Sequence, residues 1–196
     1  SSTSTSALMN YISHGLNSPV EMTIYKRLNS SQNWVVQHKD LNQDGFFNLN
    51  LSNALGSPTG QTFYDNTSTL GSIGVRSNYA ITRGAPYIAY CFHSVAGYSD
   101  IGSYSGSSST VTVNTGFKPS FVLIKRTNDI RDWIMYDTAR SGGTSMNDYL
   151  IPNTNAAEYA NTSLVVNATP TGFTIASGLW AGMNAAGGEY IYMAFK

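Results

Sequence analysis

The chain is written twice. Lys26-Arg27 recurs as Lys125-Arg126, and Trp34 recurs as Trp133, both at a shift of 99 residues. The run PYIAYCF ending at Phe92 answers EYIYMAF ending at Phe195, at a shift of 103. Between these anchors, residues 63–75 answer residues 159–175 more loosely, with gaps. Three landmarks recurring in the same order exceed what chance similarity supplies, so the sequence predicts an internal duplication. A period of about 100 residues then fits two compact units of one kind.

Each copy has the pattern of β-structure. Phe121-Val-Leu-Ile-Lys-Arg126 and Trp133-Ile-Met-Tyr-Asp137 are runs of β-prone residues bounded by Gly, Pro, Asn and Asp, as strands between turns require. Residues 29–33 and 128–132 are the matching turns, which predicts a hairpin with a five-residue loop in each copy. Tyr87–Phe92 and its counterpart ending at Phe195 are apolar almost throughout, which predicts central strands covered on both faces. Trp34 and Trp133 sit at equivalent places and are expected in the cores. No 11-residue window carries helical periodicity. The expected fold class is therefore all-β, with two tandem antiparallel β-sandwich domains related by duplication, over residues 1–95 and 96–196.

The two copies differ at their starts. Residues 98–104 look like an opening strand of the second copy, followed by a turn and a strand over residues 110–114. The first copy has no counterpart for that opening strand, since Ser1 falls opposite Gly102, and the chain does not begin with Met. The sequence thus predicts a processed product or the ordered part of something longer. A sandwich without its first strand has an exposed edge, which a preceding segment or a neighbouring subunit is expected to fill.

The pattern Gly116-x-x-Pro-x-Phe-Val-Leu-Ile-Lys-Arg-Thr127, then Trp133 and Asp137, then Tyr190-Ile-Tyr-Met-Ala-Phe195 resembles a domain recurrent in marine bacteriophage tail-fibre and virion-surface proteins. The connecting run YIAYCFHSVAGYSDIGSYSG from Tyr87 resembles it too. The resemblance covers nearly all of both copies and is stronger in the second. In the first copy the stretch from Pro19 to Lys26 is one residue longer than that from Pro119 to Lys125, and Asp137 has no acidic counterpart. The resemblance implies a structural protein of the virion surface, extracellular, whose partners are itself or other virion proteins and a host-surface glycan. It implies no catalytic residues.

Composition narrows the function classes. Only 11% of the chain is charged, with zero net charge, where about 25% is usual. The place of charge is taken by 25 Ser, 19 Thr and 18 Asn. A balanced surface offers no surplus of cations for phosphates, which argues against nucleic acid. No apolar run approaches the ~20 residues of a membrane span. Cys91 is the single cysteine, which excludes an internal disulfide framework. Little repulsion between like molecules suits assembly.

Few motifs carry chemistry. Asp40-Leu-Asn42-Gln-Asp44-Gly45 places oxygen ligands at alternate positions before a glycine, the start of a loop that could wrap calcium. Leu51 stands where an EF-hand needs its bidentate Glu, and the alternative is a polar turn. Trp180 in a Gly-rich loop, Tyr79 in the corresponding loop of the first copy, and Tyr98 at the boundary are candidates for stacking on a sugar ring or on a neighbouring subunit. Glu21, Glu158 and Glu189 are the only glutamates and none stands in a motif with an Asp, so the paired carboxylates of a glycosidase are not written here. The expectation is a non-enzymatic assembling protein, with a lectin-like module as the alternative and a glycan depolymerase third.

Overall fold

The computed structural model describes residues 9–41, 45–56, 64–65, 72–76, 82, 84–141, 145–160, 166–177 and 182–196. Among them every regular element is a strand, and the strands form several antiparallel sheets. In chain order the first are β1 (Met9–Ser13), β2 (Met22–Arg27), β3 (Val35–His38), β4 (Phe47–Asn48), β5 (Tyr64–Asp65), β6 (Ser72–Arg76) and β7 (Tyr87–Phe92). There follow β8 (Ser99–Ser105), β9 (Val111–Asn114), β10 (Phe121–Arg126), β11 (Trp133–Asp137) and β12 (Ser145–Met146). The last are β13 (Asp148–Leu150), β14 (Tyr159–Ala160), β15 (Val166–Thr169), β16 (Gly172–Ile175) and β17 (Glu189–Phe195). The chain divides into two units: Ser1–Phe46 with Gly56–Phe92, and Phe47–Leu55 with His93–Lys196.

Unit 2 is two sheets face to face. The larger has the order β14-β13-β11-β10-β17-β8 and the smaller β12-β15-β16-β9. Alternation along β10 turns Val122 and Ile124 inward, where they meet Ile134, Tyr136, Tyr190 and Tyr192 from neighbouring strands. Val113, Val166, Phe173 and Ile175 close the cluster from the smaller sheet. Removing each such side chain from water stabilises the fold by about 1.5–3 kcal/mol. Tyr hydroxyls in this core find partners: Tyr104 Oη donates to the Met183 carbonyl at 2.9 Å.

In unit 1, β3, β2 and β7 run side by side, and β1, β6 and β5 form a second sheet. A small cluster of Val20, Tyr25 and Val35 is buried, with Leu16, Phe46 and Cys91 packed against it.

The same hydrogen bonds recur in both units. The amide of Glu21 donates to the Phe92 carbonyl at 2.8 Å, and that of Ser120 to Phe195 at 2.7 Å. Lys39 donates to Glu21 at 2.7 Å, and Thr138 to Ser120 at 2.9 Å. Leu28 donates to Pro86 at 3.0 Å, and Thr127 to Glu189 at 2.7 Å. Side chains repeat the scheme: Arg27 Nε donates to Asn29 Oδ1 at 2.7 Å and Arg126 Nε to Asn128 Oδ1 at 2.9 Å. Lys26 Nζ donates to the Gln32 carbonyl and Lys125 Nζ to that of Arg131. Even the missing acid has a stand-in. Ala139 N donates to Asp137 Oδ1 at 2.7 Å, and at the same place in unit 1 Asp40 N donates to His38 Nδ1 at 3.2 Å. Gly15 and Gly116 both turn the chain at positive φ, 70° and 79°, which L side chains adopt at a cost.

Three expectations need correction. Both hairpins form, but their loops run over residues 28–34 and 127–132, longer than five residues. Among the described residues Tyr87–Phe92 is not a central strand with covered faces: β7 ends its sheet and is half-exposed, whereas β17 lies between β10 and β8 and is buried. Trp34 precedes β3 and is only half-buried, whereas Trp133 is buried as expected, at 1% exposure, beneath Phe47 on the outer face of β10 and β11. Apolar pattern alone marks a strand that can be covered, and cannot say whether a neighbour covers it.

Candidate functional site

The most distinctive surface lies along β7, and β17 is the measure of it. Both strands pair antiparallel with the equivalent hairpin strand, Tyr87 opposite Arg27 and Tyr190 opposite Arg126. On its other side β17 carries β8, over the whole register from Glu189↔Ser105 to Phe195↔Ser99. Among the described residues β7 has a neighbour on one side only. The consequence is local exposure. Ile12, Ile88 and Tyr90 are 47%, 38% and 44% exposed, while their counterparts Val113, Ile191 and Met193 are 6%, 2% and 6% exposed.

Behind the open edge is a cavity of about 370 Å³, lined by Ile12, Ser13, His14, Tyr25, Tyr87, Ala89 and Cys91. In unit 2 the corresponding space is filled by aromatic rings. Tyr104 of β8 stacks on Tyr190 with centroids 4.8 Å apart and planes 7° off parallel, and Phe173 meets Tyr192 edge-on at 5.5 Å. Ala89 stands where Tyr192 stands, so one ring is missing from unit 1's own sequence. The ring of Tyr104 has no counterpart among the described residues. Gly102 belongs to the same arrangement: a Cβ there would lie 2.7 Å from Tyr192 Oη, so the larger partner demands the smallest residue across the ladder.

The chemistry lining the cavity is apolar and weakly reactive. Burial pushes the Cys91 thiol up, against a smaller opposing effect of a hydrogen bond with Thr23, so the thiolate that reacts is scarce at neutral pH. His14 Nδ1 accepts from Leu16 N at 3.1 Å.

A second site lies in unit 2, on the outer face of β10 and β11. The segment Phe47–Leu55 covers it. Phe47 meets Trp133 edge-on at 6.0 Å, Trp133 Nε1 donates to the Asn48 carbonyl at 3.0 Å, and Leu55 N donates to Thr127 at 3.3 Å. Beneath lies Lys125, fully buried, donating to the carbonyls of Ser52 at 3.3 Å and Arg131, with its ammonium 5.2 Å from the Phe47 ring centroid. Burial pushes this ammonium down to about 8, partly offset by the carboxylates of Asp132 and Asp129. Two carbonyls and an aromatic face hold the cation without a direct carboxylate. In unit 1, Lys26 and Trp34 keep their mutual contact at 5.6 Å and remain half-exposed. Nothing in the strand pattern announced this cover; the adjacent aromatics Phe46-Phe47 in a polar stretch were its only trace.

Of the residues singled out from sequence, Tyr98 is exposed and lies edge-on to Phe195 at 6.1 Å. Trp180, Tyr79, Asn42 and Asp44 lie outside the described residues. Asp40 is exposed, with Oδ2 4.0 Å from His38 Nδ1. Among the described residues no group of three His, Cys, Asp or Glu side chains could hold a metal ion, and no helix is long and apolar enough to cross a membrane.

A family model described as a domain of unknown function (DUF7483) matches residues 1–196. The chain therefore belongs to that family. No curated protein and no solved structure matches it.

Proposed function

We propose that this member of the DUF7483 family is an assembling structural protein of a phage surface, built from two tandem copies of one β-sandwich over residues 1–95 and 96–196. Six pairs of hydrogen bonds recurring between the halves support the duplication. The observation that carries the assembly reading is the state of β7. An edge strand with exposed Ile88 and Tyr90 beside an apolar cavity is a surface that water solvates poorly and that pairing removes. Low charge works in the same direction, because neighbours can pack without desolvating many ions. The virion setting rests on the resemblance of Gly116 to Thr127 and of Tyr190 to Phe195 to repeats of marine phage fibres.

Sedimentation of the full chain over a wide concentration range tests the reading. Association through an interface burying more than about 2,000 Å² is expected of an obligate assembly. A chain that stays monomeric and instead binds glycans, with loss on Tyr98→Ala or Trp180→Ala, favours the lectin-like module. Hydrolysis of a host polysaccharide by the purified chain overturns both. Immunogold labelling of particles with an antibody to the chain tests the location: label on the virion surface is expected, and label confined to the host cell interior contradicts it.

A further inference from the structure

We propose that the β7 edge of unit 1 is an acceptor groove for one extended peptide strand from a partner polypeptide. That strand adds antiparallel to β7, with an aromatic residue opposite Tyr87 and a large apolar residue opposite Ala89. The inference rests on the assembly reading above and names the chemistry of its partner.

Unit 2 supplies the template. There β8 adds to β17, and its inward residues are Tyr104 opposite Tyr190, Gly102 opposite Tyr192 and Asp100 opposite Ala194. Tyr104 delivers a ring onto Tyr190, and Tyr192 Oη donates to Asp100 Oδ2. Ile101, pointing the other way opposite Met193, is completely buried. Transferred to β7, the same register sets an aromatic ring of the incoming strand over Tyr87 and an aliphatic residue beside Tyr90. Main-chain hydrogen bonds along the side of β7 that carries no strand among the described residues supply adhesion, and alternate side chains supply selectivity.

The two edges want different strands. In unit 2 the ring of Tyr192 crosses Gly102 and leaves no room for a side chain there. In unit 1 Ala89 removes that ring, and the space remains open as the cavity of about 370 Å³. A strand that merely copied β8 would seat its glycine against this void and leave it unfilled. A strand with Leu or Phe at that position fills it and gains the transfer free energy of the buried side chain. The acceptor is therefore tuned away from the chain's own opening strand, which protects unit 1 from capturing β8 of a neighbouring copy.

The test uses the full chain and three synthetic nonapeptides with the sequence of residues 98–106: as written, with Gly102→Leu, and with Gly102→Leu plus Tyr104→Ala. Cys91 lines the cavity, so its alkylation rate reports seating, and amide exchange along β7 reports pairing. The Gly102→Leu peptide is expected to slow Cys91 alkylation about tenfold at saturation and to bind about tenfold tighter than the unaltered peptide. Adding Tyr104→Ala is expected to undo most of that gain. The Ala89→Trp chain, which fills the cavity from its own side, should melt no lower than the parent and lose the response. Equal protection by all three peptides, or none by any, overturns the proposal. So does protection of Cys91 and β7 that grows with chain concentration alone, since a second copy would then be the occupant. A chain that associates through another face while ignoring the peptides overturns this inference and leaves the assembly reading standing. A monomeric chain that binds the Leu peptide selectively supports the inference and restricts the assembly to unlike partners.

Discussion

β7 and β17 are alike in pairing and unlike in surroundings. Each pairs with its hairpin partner in the same register, and each is flanked by the same backbone hydrogen bonds. β17 has a strand on each side and is buried; β7 has a neighbour on one side only among the described residues, and its residues are half-exposed. The Lys-Trp pairs repeat the lesson on the outer face. Lys125 and Trp133 lie buried under the segment Phe47–Leu55, whereas Lys26 and Trp34 keep their contact and stay partly in solvent. What distinguishes the units is thus, Ala89 against Tyr192 apart, less their strands than what lies against them. Burial depends on neighbours, and a strand's sequence specifies mainly what it tolerates.

The largest expected difference is between the tryptophans. Trp133→Ala should cost about 3–5 kcal/mol in denaturant unfolding of the full chain, since a large ring leaves a packed site. Trp34→Ala should cost about 1 kcal/mol, as for a partly exposed residue. Equal costs would break the comparison. Phe47→Ala should follow at about 3 kcal/mol, by uncovering both Trp133 and Lys125.

The architecture was legible where it rests on local pattern. The repeat of Lys-Arg and Trp located both hairpins, and the strand–turn–strand pattern over residues 98–114 located β8 and β9. What escaped were features decided at a distance. The cover over Lys125 comes from residues more than seventy positions away, between Lys125 and Ser52, and no short-range periodicity encodes it. The cavity was hidden for another reason. Ala89 in place of Tyr192 looks like an ordinary apolar substitution until the missing ring is seen beside Tyr87. Of the loop candidates only Tyr98 and Asp40 fall among the described residues.

Smaller effects sharpen the contrast further. Tyr104→Phe should cost about 1 kcal/mol in the same unfolding measurement, through loss of the hydrogen bond to Met183. Lys125→Met should be neutral or stabilise by about 1 kcal/mol at pH 7, because a desolvated ammonium is replaced by an apolar chain. The pH dependence carries the same sign. Below about pH 8 Lys125 is charged in both states, and its burial is opposed in full. Between there and the ordinary lysine value, about 10.4, the folded state holds fewer protons than the unfolded chain. Stability from this group therefore rises with pH across that window. Cys91 and the buried tyrosines Tyr104, Tyr136, Tyr149 and Tyr190 are pushed up and act in the opposite sense. Unfolding curves at pH 7, 9 and 10 should therefore show the Lys125 contribution as a difference: the parent chain gains on Lys125→Met as pH rises.

The most direct test of the open edge is amide hydrogen exchange of the full chain, at a dilution where it is monomeric, comparing β7 with β17 position by position. Faster exchange along β7, by about a hundredfold or more, is the predicted result, because an unpaired edge opens at a small fraction of the cost of a strand held on both sides. Equal protection of the two strands would mean that β7 is already covered in the isolated chain, and would contradict the account.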